Sequence, residues 1–137
     1  MIIIPEKPPN FEQIAAVFPI IREQKGILYC WEDRIYNPDK VPVPVEIEAH
    51  EAAHSVQQYN TGGAQSWWDA YLASQEFRFT MELQAHQIEY LKTKYIRDRE
   101  KRAKKLVYMA RRLSSPLYGN MVSYQEALKL IRLGGKQ

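Results

Sequence analysis

The pentapeptide His50-Glu51-Ala52-Ala53-His54 constrains this chain more than any other feature. On a helix, residues four apart share a face, so two imidazoles at this spacing can present their nitrogens to one metal ion. Glu51 then stands beside the first ligand, within reach of a water on that ion. The flanks agree with a helix. Val45 to Tyr59 contains no proline or glycine, Pro42 and Pro44 punctuate the entry, and Gly62-Gly63 closes the exit. Val45, Ala49, Ala52, Ala53, Val56 and Tyr59 recur at three- and four-residue steps, which predicts a helix of about four turns.

A metal centre that keeps one position open for water takes three protein ligands, so the third must come from elsewhere. The chain has three histidines. The last, His86, lies in a second helical stretch with Glu82 and Glu89, spaced i, i+4 and i+7 on one face. Any one of the three can complete the set, with a core role open for His86 and a solvated face for Glu89.

An HExxH followed about thirty residues later by a helical Glu, with a small residue three positions on, resembles the gluzincin branch of the zincin metallopeptidases. The likeness is to short members such as the ImmA/IrrE-like peptidases, and to the HExxHxxQQ domains of bacterial injection-system effectors. The matching residues are His50, Glu51, His54, Gln57-Gln58, Phe77-Arg78-Phe79, Glu82 and Ala85. The resemblance implies a Zn2+ ion held by His50, His54 and Glu82, with His86 as the alternative third ligand. It implies Ala85 as a small contact between two helices and Glu51 as general base for a zinc-activated water that hydrolyses a peptide or protein substrate. It also implies a small sheet ahead of the motif helix, whose edge strand pairs with extended substrate.

The remaining sequence accommodates such a fold. At 137 residues, 45% hydrophobic and 26% charged, residues 1–137 read as one domain of the α+β class, mostly helical. Asn10 is placed to cap a helix over Phe11–Arg22 that Pro19 interrupts. Ile27–Trp31 and Arg34–Tyr36, separated by Glu32-Asp33, predict a hairpin. Trp67-Trp68, beside the glycine pair, serve either as core or as the wall of a cleft. Tyr71, Arg78 and Tyr124 are oxyanion-stabilising candidates by residue type. Ser114-Ser115-Pro116 breaks helix, Leu117–Asn120 reads as loop, and Ser123 with Glu126 makes a capping box for a helix ended by Gly134-Gly135. Its Ala127, Leu128 and Ile131 face reads as core or as a partner contact.

Lys92 to Arg112 holds ten basic residues against two acids, a balance of +8 in a chain of net +3. Tyr95 and Tyr108 lie within it. This basic helical segment supports an alternative function: a nucleic-acid-associated or assembly protein, touching nucleic acid or another anionic surface, with a non-catalytic zinc site. A closed zinc site needs a fourth protein ligand, for which Cys30, the single cysteine, or another carboxylate would have to serve. An inactive zincin used as a binding module has no need of Glu51. The start, Met1–Glu6, carries too short an apolar run for a signal peptide, and no stretch reaches the ~20 apolar residues of a membrane span. A cytoplasmic setting is expected, with signal-independent export or a phage origin left open.

Overall fold

The computed structural model describes residues 1–134, so Gly135 of the expected helix stop lies outside the described residues. The elements run β1 (Ile2–Ile4), α1 (Phe11–Val17), a 3-10 turn at Pro19–Arg22, β2 (Tyr29–Trp31), β3 (Arg34–Tyr36), α2 (Val45–Asn60), α3 (Ala64–Ala73), α4 (Gln75–Thr93), α5 (Arg99–Leu113), a 3-10 turn at Pro116–Tyr118 and α6 (Tyr124–Gly134). This is the α+β, mostly helical architecture expected. Among the described residues, no helix is long and apolar enough to cross a membrane.

The sheet has the order β1-β3-β2. The hairpin forms as its spacing predicts, with Tyr29 opposite Tyr36 and Trp31 opposite Arg34. The sequence reading missed β1, which pairs in parallel with β3, Ile3 opposite Ile35. Two-residue hairpin loops favour positive φ, which glycine or asparagine supplies at least cost. Here Glu32 adopts φ 56°. The turn is held from outside: Gln58 Oε1 accepts from the Glu32 amide at 2.7 Å, and Gln58 Nε2 donates to the Cys30 carbonyl at 2.9 Å. Gln58 is 1% exposed, and leaving the Glu32 amide unpaired would cost about 1–3 kcal/mol. The second glutamine of the motif region therefore fastens α2 to the hairpin.

α1 ends at Val17 and resumes as a 3-10 turn because Pro19 cannot extend an α-helix. Asn10 precedes α1 but its side chain makes no capping bond, so that expectation is corrected. Ser123 does cap α6, accepting from the Glu126 amide at 3.2 Å. The core has two parts. One gathers α1, the hairpin and α3 around Trp67, Trp68 and Tyr71. The other joins α5 to α6 through Leu106, Met109, Ala110 and Leu113 against Ala127 and Ile131. The first four recur at i, i+3, i+4 and i+7, the stripe that seats an amphipathic helix. Full burial of each large side chain stabilises by about 1.5–3 kcal/mol.

α2 buries its polar side. Val45, Val56 and Tyr59 are 72, 60 and 86% exposed, whereas Glu46, His50, Glu51, His54 and Gln58 are buried. The helix thus turns its polar side inward, a costly arrangement unless those groups find partners there.

Candidate metal centre

α2 and α4 pack against one another and supply the partners. His54 Nε2 lies 2.9 Å from Glu82 Oε1, and His50 Nε2 lies 3.3 Å from the same oxygen. These three residues form a group able to hold a metal ion, and all are buried. Two ligands ~2.1 Å from a tetrahedral ion stand about 3.4 Å apart, so the observed spacings need open only by about 0.5 Å to admit one. Two neutral nitrogens and a carboxylate oxygen form a donor set suited to a divalent transition ion. The residues fit the group. Ala85, three residues after Glu82, is fully buried.

Each ligand is held by its own partner. His50 Nδ1 donates to Glu89 Oε1 at 2.9 Å, which assigns the proton to Nδ1 and leaves Nε2 for the ion. His54 Nδ1 donates to Gln57 Oε1 at 2.8 Å. The Gln57 amide orientation is fixed because its Nε2 donates to the Met81 carbonyl and to Gln84 Oε1, both at 3.1 Å. Glu82 Oε2 accepts from the Tyr71 hydroxyl at 2.6 Å. Tyr71 stacks on Trp67 with ring centroids 4.8 Å apart, and Trp67 lies 5.1 Å from the His54 ring. The paired tryptophans are both core and site wall; Trp68 Nε1 also donates to the Cys30 carbonyl at 3.0 Å.

Glu89 corrects the sequence reading. It is 4% exposed and not on a solvated face, and the His50 ring that it orients makes it part of the centre. Outer partners of this kind are worth about 10–100-fold in metal affinity. For any divalent ion held by this group, Glu89→Gln is therefore expected to weaken binding by about that factor in a competition titration with a chelating dye. Unchanged affinity would show that His50 needs no orienting carboxylate.

His86 is also inside, 1% exposed, with its ring centroid 4.6 Å from that of His50. Its Nδ1 lies 3.3 Å from Glu89 Oε1, off the line of a hydrogen bond, and both ring nitrogens are without a hydrogen-bond partner. With His50 and Glu89 it makes a second possible ligand group. That group would take the Nδ1 face of His50, whereas the first takes Nε2 together with both histidines of the HExxH. Burial pushes His86 below the ordinary histidine range, outweighing Glu89, which favours the neutral ring.

Electrostatics follow from these contacts. Burial alone would lower His50, but hydrogen bonds to Glu82 and Glu89 outweigh it and raise its pKa to about 10. For Glu89, the penalty of burial is overcome by His50 and His86, and the pKa falls to about 2. Glu51 behaves differently: burial raises its pKa, with His50 and His54 opposing. Its Oε2 is buried and has no hydrogen-bond partner. A carboxylate whose pKa burial raises and whose Oε2 is free of hydrogen bonds is equipped to exchange a proton.

The centre opens on a cavity of about 490 Å³ whose lining includes Gly26–Cys30, His50, Glu51, His54, Glu82, His86, Arg112 and Tyr118. Of the three oxyanion candidates, none is free in it. The Tyr71 hydroxyl is engaged by Glu82, and Arg78 donates to the Tyr71 and Tyr118 carbonyls at 2.8 and 3.0 Å. Tyr124 packs on the α5–α6 core, away from the centre. Sequence reasoning missed Tyr118 and Arg112: the first fell in an expected loop, the second in a charge run. Cys30 is in neither ligand group; its thiol faces the Glu32 carbonyl at 3.4 Å, and burial pushes its pKa up, against thiolate formation.

The basic segment divides between uses. Lys92, Lys94, Arg97, Arg99, Lys101, Lys104 and Arg111 are exposed, while Lys105 pairs with Glu46 and Arg102 donates to the Ile96 carbonyl. Tyr95 and Tyr108 are exposed. No protein-family model matches this chain, and no curated protein or solved structure matches it either.

Proposed function

We propose that this protein is a zinc-dependent metallopeptidase in which His50, His54 and Glu82 hold the ion and Glu51 is the general base. The observation that carries this proposal is the buried His/His/Glu group with an unpartnered buried carboxylate beside it, at the wall of a cavity. A bound zinc ion would supply the Lewis acidity that makes water nucleophilic near neutral pH and polarises a peptide carbonyl. Glu51 takes the proton from the attacking water and returns it to the leaving amine. Glu89 and Gln57 keep the imidazoles in the metal-binding tautomer, and Tyr71 keeps Glu82 from turning away. The stretch Gly26–Cys30 runs along the cavity, where an extended peptide would gain main-chain hydrogen bonds.

The test is digestion of a mixed peptide library by the zinc-loaded protein, with products read by mass spectrometry. Cleavage that stops with chelator and returns with zinc is expected. A zinc-loaded protein that cleaves nothing across the library would contradict the proposal.

The His50 shift gives a pH dependence with a definite sign. With no metal bound, His50 carries a proton up to a pH of about 10, and that proton must leave before Nε2 can act as a ligand. Metal binding therefore releases protons, and affinity weakens as pH falls, about tenfold per pH unit for each proton released. Titrations of zinc at pH 6, 7 and 8 check this; an affinity that is flat or rises toward pH 6 would contradict it.

A further inference from the structure

We infer that Arg112, framed by Tyr108 and Tyr118, is a carboxylate-binding subsite of the cavity, so that the preferred peptide carries an acidic side chain or its own C-terminal carboxylate. This rests on the peptidase reading and names its substrate class.

Assigning every other charged group of the cavity leaves Arg112 over. Glu82 is engaged by the two ligand histidines and Tyr71, and Glu89 by His50; Glu51 makes no ion pair and feels the charges of His50 and His54 more than that of Arg112. Lys25 lies 3.9 Å from Asp39 at the open rim. Arg112 lines the cavity half-buried, and among the described residues no carboxylate comes within ion-pair distance of it. Its Nη1 donates to the Tyr108 hydroxyl at 3.1 Å, and its guanidinium lies 5.7 Å from the centre of that ring.

Position links it to the metal centre. Arg112 lies beside the Tyr118 hydroxyl, and the Tyr118 ring is 6.2 Å from that of His86, itself in contact with His50. Two side chains, Tyr118 and His86, thus stand between a group held by Arg112 and the ligand His50. Other arginines of the chain differ. Arg78, deep in the same region, has donors committed to two backbone carbonyls, and Arg102, one helix face away on α5, is committed to Ile96. A guanidinium offers five donors in a planar fork that matches a carboxylate, and two phenol oxygens leave part of that fork unused. Keeping such a cation half out of water with Glu51 as a remote counter-charge and no ion-paired one is costly, and an incoming carboxylate in direct contact removes that cost.

The experiment uses the zinc-loaded Glu51→Gln protein, which is expected to bind peptide without cleaving it, in a calorimetric titration. Three peptides of one sequence serve as probes: a neutral C-terminal amide, the same peptide with a free carboxylate, and the amide with one internal Glu. At least one charged peptide is expected to bind about 10–100-fold tighter than the neutral amide. Which of the two gains separates a terminal from a side-chain carboxylate. The preference should vanish in Arg112→Met and shrink in Arg112→Lys, which keeps the charge without the fork; the second variant covers a failure of the first to fold. Equal binding of all three peptides, or a preference that survives in folded Arg112→Met, would make Arg112 a strut between α5 and the following turn and overturn the inference. Cleavage of the same peptides by the wild-type protein is a separate readout. Its failure with the binding preference intact would sink the peptidase reading and leave the subsite standing.

Discussion

Glu51→Gln is expected to keep its metal and lose peptide hydrolysis by about 10²–10⁴-fold, the range that a positioned general base contributes. The substitution keeps the shape of the side chain and removes its ability to take a proton. It also breaks no hydrogen bond at Oε2, which has no partner. Stability supplies a second readout with its own sign. Because burial raises the pKa of Glu51 in the folded protein, its charged form costs stability at neutral pH. Without metal, Glu51→Gln should therefore unfold at higher urea than the wild type near pH 7, and this gain should disappear as pH falls through 4.5, the ordinary carboxylate value. A residue that weakens the fold yet is needed for turnover is what a catalytic base looks like in stability measurements. Unchanged hydrolysis in this variant would remove Glu51 from the mechanism.

Glu82→Ala is expected to lower zinc affinity by more than the ~10–100-fold that loss of an outer partner costs. It deletes the one carboxylate shared by both HExxH histidines and leaves the buried Tyr71 hydroxyl without its acceptor. The consequence is large in thermal unfolding. Zinc at a thousand times its Kd stabilises by about 4 kcal/mol, equivalent to about 10 °C or more in Tm for a domain of this size. That metal-dependent rise should be lost in Glu82→Ala and kept in His86→Ala. The reverse pattern would move the ion to the group of His50, His86 and Glu89.

The sequence and the structure agree where signals are local. Proline punctuation before Val45 and the Gly62-Gly63 stop enclosed α2, which ends at Asn60, and the Glu32-Asp33 spacing located the hairpin. The spacing of Glu82, His86 and Glu89 put all three on one helix face, and the structure buries all three. What escaped depends on distant contacts. β1 is three isoleucines whose partner, β3, lies some thirty residues on, and no local pattern announces a parallel pairing. Periodicity marked α2 as a helix without saying which side is buried; its polar side turns inward because the partners of those groups lie on α4, beyond the reach of a local pattern. Glu89 read as solvated because its partner, His50, lies on another helix. Tyr118 sits on a short turn without periodicity, and Arg112 closes a run of charge whose other members mostly face solvent. Tertiary contact alone separates these two from their neighbours.

The most direct measurement of the central claim is the zinc content per chain by elemental mass spectrometry, for the wild-type protein and Glu82→Ala prepared side by side after zinc addition and desalting. The account expects about one zinc per wild-type chain and a large loss in the variant. A wild-type protein that retains no zinc, or a variant that retains as much as the wild type, would contradict it.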